Sequence, residues 1–303
     1  MVRVIGIGDN VCDKYEHLKT MFPGGQALNF SVYAKLLGAD ASYMGVFGTD
    51  EAAVHVIKTL DELGVEHGRC RQYEGENGCA RVTLKDGDRI FLGSNKGGVS
   101  KEHPFELTEE DLAYISTFSL VHTSNNSYMD SQLEKIHRAG IPISYDFSGQ
   151  WIDDGRVCRV APYASYVFLS CGSVTEEEGR EICHRMHARG CRFIVATRGS
   201  KGALVYDGHD FYSQPPHLVE AIDTLGAGDS FATAFLLSLT QSRKEYRERM
   251  DSDRKLYRQQ IKETRGKGVS TAAAKRSDGK RSFFCSGHVS GTGSIWTWQS
   301  FLN

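Results

Sequence analysis

Short β-branched apolar runs alternate along this chain with stretches whose apolar residues recur at helical spacing. The run V-R-V-I-G-I-G at 2–8 predicts a first strand ending in glycine, and further strands are expected at 43–47, 119–122, 142–147, 166–170 and 193–196. Helices fill the intervals: one follows the glycines at 24–25, one starts at the acidic cap T-E-E at 108–110, one covers 130–139 and one is opened by T-E-E-E at 175–178. Strand and helix in turn predict a parallel sheet with helices on both faces. Residues 65–95 break the rhythm, since short apolar runs separated by turns such as K-D-G-D at 85–88 predict hairpins. An apolar helix is expected at 231–239. Residues 241–267 mix acids and bases at helical period, which reads as a solvated helix, and G-V-S-T-A-A-A-K at 268–275 reads as a helix of small residues. The stretch 280–303, with Phe283, Phe284, Trp296 and Trp298 among Gly, Ser and Thr, shows no period.

Composition adds bounds rather than identity. A chain of 303 residues holds one large α/β domain with a small appendage, or two modest domains. Its 36 Lys plus Arg nearly balance 38 Asp plus Glu, so nucleic acid and anionic membranes are not the expected partners and a small molecule is. The chain enters its first strand without signal-peptide features and holds no run of transmembrane length, so a cytoplasmic location is expected. Eight cysteines without a C-x-x-C pair point to reduced thiols. In the cluster Cys183, His184, His187 and Cys191, positions 183, 187 and 191 share a helix face only if the helix outlasts Gly190, so buried thiols with surface histidines are expected there in preference to a metal site.

The candidate chemistry concentrates at I-D-T-L-G-A-G-D-S-F, residues 222–231, where a glycine-broken loop runs into an apolar helix. Gly226, Ala227 and Gly228 let backbone N–H groups at the start of that helix approach an anion closely, and the helix dipole favours negative charge. Asp229 stands where a general base could take the proton of an attacking hydroxyl. The alternative is an ordinary glycine turn with Asp229 as a helix cap. At the other end of the chain, Asp9 and Asp13 follow the first strand, at the sheet edge where ligands bind in open α/β folds, although either alone is also a turn cap. Asp146 and Trp151 stand at the end of the strand at 142–147, where a structural reading, as a cap and a core plug, is as good as a place in the site.

The string D-T-x-G-A-G-D-x-F at 223–231 resembles the C-terminal signature of the ribokinase-like (PfkB-type) carbohydrate kinases. Their N-terminal signature G-G-x-x-x-N-x-A is matched at 24–31, with Ser31 in the place of the usual Ala. The resemblance implies a ribokinase-like three-layer α/β/α sandwich with a central mostly parallel sheet and a small β-sheet lid, spanning residues 1–279 with lid segments about 10–22 and 65–100. Residues 280–303 have no counterpart, and a shifted reading frame is one explanation for them. The resemblance also implies roles. Asp229 is the base and Gly226, Ala227 and Gly228 hold the transferring phosphate. Asp9, Asp13, Gly24, Gly25, Asn29 and Lys96 contact the sugar. Thr197, Gly199 and Gly202 of the T-x-G-x-x-G loop meet the nucleotide together with Gly226 and Gly228. Glu176, in a motif where Ser173 replaces the usual Asn, reaches magnesium through water. ATP and Mg2+ are the implied cofactors, some relatives add a monovalent cation near Asp223 and Thr224, and lid sheets in the family pair into homodimers. The motifs G-D-N-x-x-D-x-Y at 8–15, F-x-G-G-x-A-x-N at 22–29, D-x-D-R-x-F at 86–91 and D-F-S-x-x-W at 146–151 resemble the branch that phosphorylates ketosamines, implying transfer to the 6-hydroxyl of fructoselysine or a related compound. A generic sugar or nucleoside kinase of the same fold and a non-catalytic sugar-binding relative remain the alternatives.

Overall fold

Alternation along single strands builds the central sheet. In β1 (Arg3–Gly8), Val4 packs toward one face and Ile5 and Ile7 toward the other, the period-2 pattern of a strand buried on both sides. The computed structural model describes residues 2–85, 88–216 and 225–266, the side chains of 84–91 and 256–266 excepted. The remaining strands are β2 (Val11–Tyr15), β3 (Thr20–Gly24), β4 (Asp40–Phe47), β5 (Arg71–Gln72), β6 (Cys79–Lys85), β7 (Asp88–Ser94), β8 (Leu120–Ser124), β9 (Ile143–Ser148), β10 (Tyr166–Ser170), β11 (Phe193–Thr197), β12 (Ala203–Tyr206) and β13 (Phe211–Gln214). The helices are α1 (Gln26–Leu36), α2 (Glu51–Leu63), α3 (Val99–Glu102), α4 (Glu109–Ile115), α5 (Leu133–Arg138), α6 (Asp154–Val160), α7 (Glu176–Ala188) and α8 (Ala227–Gly266).

Nine strands form the main sheet in the order β13-β12-β11-β10-β9-β8-β1-β4-β5. All neighbours are parallel except β11–β12 and β12–β13. The order turns back at β1, which has β4 on one side and β8 on the other. A crevice therefore opens beyond its C-terminal end, the place where such sheets take ligands.

Helices α1 and α8 cover one face through Phe30, Ala34, Ala232 and Leu236. Helices α4 to α7 cover the other through residues such as Ile115, Leu133, Val160 and Met186. The result is the expected three-layer α/β/α sandwich. Ser31, the departure from the N-terminal signature, is fully buried and ties these layers together: it accepts from Gly6 N–H at 3.0 Å and donates to Ser42 O at 2.8 Å. Helix α7 ends at Ala188, and Cys183 and Cys191 are both buried in the core.

A second sheet, β3-β2-β6-β7, forms the lid. Three asparagines pin its base. Asn77 Nδ2 donates to Asn10 Oδ1 at 2.8 Å, Asn10 Nδ2 donates to Tyr43 Oη at 3.0 Å, and Asn95 Nδ2 donates to Asn77 O at 2.7 Å. The hairpin β6–β7 lies within the stretch predicted to hold hairpins. Strand β5 instead extends the main sheet beside β4, held there by Arg71, whose guanidinium donates to the buried Asp111 carboxylate at 2.7 Å. Two helices expected at the C-terminal side are one: α8 runs for 40 residues because neither glycine nor proline interrupts 229–265. Its first turns are apolar and packed, and residues 245–255 are mostly charged and exposed. No helix among the described residues is long and apolar enough to cross a membrane.

Candidate active site

The chain leaves β1 at Gly8 and places Asp9 in front of α1. The N-cap of α1 is Gly25, which has no side chain to offer the first orphan N–H groups. Asp9 supplies the missing acceptor from another strand: Oδ2 accepts from Gln26 N–H at 2.7 Å and Oδ1 from Ala27 N–H at 3.2 Å. Ser124, the last residue of β8, and Ser127, just beyond it, donate their hydroxyls to the same Oδ1 at 2.9 and 2.7 Å. Among the described residues Oδ2 has one donor, so it is the oxygen with acceptor capacity left for a ligand. Gly25 allows this approach, since its φ is +107° and a Cβ there would lie 2.7 Å from Asp9 O. Asp13 on β2 lies across the neighbouring glycine, where a Cβ on Gly24 would come within 2.7 Å of its carboxylate.

One turn into α1, Asn29 meets the C-terminal motif. Its Nδ2 donates to Asp229 Oδ2 at 2.7 Å, joining residues 200 apart in sequence. Asp229 is half-buried in the first turn of α8. Burial pushes its carboxyl up to about 6, opposed by the Asn29 hydrogen bond and reinforced by the Asp9 charge. Gly226 precedes the helix at φ +75°, and its carbonyl accepts from Ser230 N–H at 2.9 Å. The N–H groups of Ala227, Gly228 and Asp229 therefore have no carbonyl four residues back within the helix. Ala227 and Gly228 are exposed, and the space where a Cβ of Gly228 would stand is open. This is an electropositive helix end beside a carboxylate.

Two further side chains frame Asp229. Tyr33, one turn after Asn29, lies beneath Gly226, and burial together with the Asp229 charge raises its phenol. Asp146, at the end of β9, is buried; its Oδ1 accepts from Ser148 N–H at 2.6 Å and its carboxyl also meets the Gln26 side chain. Burial, then the Asp229 charge, push Asp146 up to about 7. Three carboxyl groups, Asp9, Asp146 and Asp229, thus share the mouth of the crevice. Trp151 takes the structural role left open for it, donating its indole N–H to Ser170 O at 3.0 Å and packing against the core.

The T-x-G-x-x-G loop follows β11. Thr197 Oγ1 donates to Leu169 O at 3.2 Å, and Gly199 and Gly202 flank a single tight turn in which Lys201 Nζ donates to Gly172 O at 3.3 Å. Glu176 stands in the first turn of α7, after a capping box formed by Thr175 and Glu178. Its carboxylate accepts from Arg180 at 2.9 Å and from Arg198 at 3.1 Å. Lys96 is exposed; its carbonyl, at the lid edge, accepts from Tyr128 Oη at 2.6 Å. Asp223, Thr224 and the stretches 268–279 and 280–303 lie outside the described residues.

Sequence reasoning missed Ser124, Ser127, Gln26, Tyr33 and Arg198. For Tyr33 a signal existed, because a spacing of four puts it on the Asn29 face of α1. For the two serines only their position at the end of a strand neighbouring β1 could have spoken.

A family model for the pfkB family carbohydrate kinases matches residues 3–251. The chain is 42% identical over 236 residues to the fructosamine kinase FrlD of Bacillus subtilis (strain 168), covering 78% of this chain and 82% of that protein. It is 32% identical over 230 residues to the fructoselysine 6-kinase of Escherichia coli (strain K12), covering 76% and 86%. Among solved structures, Arabidopsis thaliana ribokinase complexed with ribose and ATP superposes with a TM-score of 0.63 at 19% identity, covering 79% of this chain and 86% of that one.

Proposed function

The chain belongs to the pfkB family of carbohydrate kinases, and from that premise we propose that it transfers the γ-phosphate of ATP to the 6-hydroxyl of a ketosamine, fructoselysine or a near relative. The observation that carries the reading is the Asn29–Asp229 hydrogen bond beside the open N-terminus of α8. It sets a carboxylate next to an anion-binding helix end, the two parts that in-line phosphoryl transfer requires. The ketosamine acceptor is supported by the identity to a fructosamine kinase and a fructoselysine 6-kinase.

In this mechanism Asp229 accepts the proton of the sugar hydroxyl as its oxygen attacks phosphorus. Asn29 holds the carboxylate in line through Oδ2. The N–H groups at Gly226, Ala227 and Gly228 take the charge on the phosphoryl oxygens. Asp9, through Oδ2, with Asp13, Gly24, Gly25 and the Lys96 loop, lines the sugar side, and the lid sheet excludes water that would compete with the hydroxyl. Thr197, Gly199 and Gly202 line the nucleotide side. Magnesium accompanying the nucleotide supplies neutralisation of phosphate charge. A Glu176 oxygen is a hard donor suited to the outer shell of such an ion, once one of its guanidinium partners moves away.

The deciding experiment is ATP consumption measured across ketosamines, ketohexoses, ribose and nucleosides. Turnover of fructoselysine or another ketosamine above the rest is expected. Robust turnover of fructose, ribose or a nucleoside with none of any ketosamine would leave a generic kinase of this fold. Sugar binding without turnover of any acceptor would leave a non-catalytic relative.

The same base predicts a pH profile. With Asp229 titrating at about 6 in the free protein, kcat/KM is expected to level above that pH and to fall about tenfold per unit below it, as the protonated carboxyl cannot take a proton. A profile flat down to pH 5 would remove Asp229 from the base role.

A further inference from the structure

One ion pair ties the two nucleotide-side loops together. The first loop leads from β10 to Glu176, the first residue of α7; the second leaves β11 through Thr197, Arg198 and Gly199. Arg198 Nη1 donates to Glu176 Oε2 at 3.1 Å, while Arg180, one helical turn along α7, donates to Oε1 at 2.9 Å. Both guanidiniums hold the Glu176 carboxyl below its usual range. Arg180 also lies 4.6 Å over the ring of Phe211, a contact independent of Arg198 that holds its guanidinium on the same side of α7 as Glu176.

Arg198 is placed differently. Its side chain is only 11% exposed, and its Nε is buried without a hydrogen-bond partner among the described residues. A buried guanidinium N–H with no acceptor is costly, and the fork it belongs to matches two oxygens of a phosphate better than one oxygen of a carboxylate. The backbone beneath it is fixed, with Arg198 N–H donating to Gly202 O at 2.7 Å within the same loop that carries Thr197 and Gly199.

We propose that Arg198 is a phosphate ligand for the nucleotide and that Glu176 holds it in reserve, the polyphosphate displacing Glu176 as the partner of Arg198 while Arg180 keeps the carboxylate paired. The inference rests on the ATP reading above and deepens it, naming a cation between the glycines of the loop and a carboxylate that competes with phosphate for it. Because carboxylate and phosphate compete for one guanidinium, the two substitutions act with opposite signs.

The test is calorimetric titration of the full chain with ADP and with ATP in EDTA, so that metal plays no part in the reading. Arg198→Gln is expected to weaken both nucleotides about tenfold or more and to flatten the salt dependence of binding, with Arg198→Lys recovering part of the loss. Glu176→Gln is expected to strengthen both about threefold or more, because the competitor has lost its charge. Equal affinities in wild type and Arg198→Gln, or a Glu176→Gln protein weakened in the same direction as Arg198→Gln, would overturn the proposal and leave a purely structural tie. If Arg198→Gln fails to fold, the opposed signs of Arg198→Lys and Glu176→Gln decide in its place. A wild-type chain that binds neither nucleotide overturns the ATP reading and this inference with it, whereas binding that is indifferent to both substitutions overturns this inference alone.

Discussion

Asp229→Asn is expected to lower kcat about a hundred- to ten-thousand-fold while leaving the KM values for sugar and ATP within a few-fold of wild type. The amide is nearly the same size as the carboxylate, and its oxygen can still accept from Asn29 Nδ2, the contact seen at 2.7 Å. Geometry is therefore kept and only the proton acceptor is lost. A stability change of the opposite sense should accompany the loss. The folded protein holds the Asp229 carboxyl at about 6, above its ordinary value of 3.8, so the ionised form is disfavoured by folding. That penalty is absent below about pH 4, grows as pH rises, and is complete above about pH 6. The substitution should accordingly raise Tm at pH 8 and leave it unchanged at pH 4. Turnover within tenfold of wild type would end the assignment of Asp229 as base, whatever the melting curves show.

The opposition of activity and stability at one carboxyl belongs to a site whose parts differ in how openly the sequence declares them. Asp229 and Asn29 were legible because glycine-flanked signatures surround both, and their contact follows once α1 and α8 share a face of the sheet. The alternation of strands and helices was legible for a similar reason, since burial on two faces imposes a period on each strand. Asp9 was found, but its surroundings were not. Its oxygens are engaged by two backbone N–H groups and two serine hydroxyls at the end of β8, more than a hundred residues away. Serines in turns carry no mark of such a partner.

Glu176 and Arg198 mark a second kind of limit. The acidic run at 175–178 points to a helix start, and the capping box bears that out. Its first glutamate, though, is answered by an arginine at a position the T-x-G-x-x-G motif leaves unspecified, a pairing created by β10 and β11 lying side by side. Strand β5 and the long α8 were missed for opposite reasons. Two residues are too few for any period to register, and a helix without glycine or proline runs on past the end of its apolar face.

Gly226→Ala tests the other half of the chemistry, the anion-holding turn, and is expected to reduce kcat about a hundred- to thousand-fold. The residue sits at φ +75°, which alanine adopts at a cost of about 1–2 kcal/mol. Its Cβ would stand 2.7 Å from Tyr33 Oη and 4.0 Å from Asn29 Nδ2. Either the tyrosine is displaced or the peptide turns, and both move the N–H groups that lead into Asp229. Sterics and backbone preference can be separated by adding Tyr33→Phe. With the hydroxyl gone, the nearest remaining atom of that side chain is the ring carbon Cζ, 3.7 Å away, an ordinary contact. The double variant should regain part of the lost kcat and retain the deficit that belongs to φ. Gly228→Ala is the contrast, because its Cβ meets nothing within 4 Å; it should fold as wild type and raise the KM for ATP by occupying the open space over the helix end. Wild-type turnover in Gly226→Ala would show that the phosphoryl group is held elsewhere. A double variant no better than the single would place the whole cost in the backbone rather than in the contact with Tyr33.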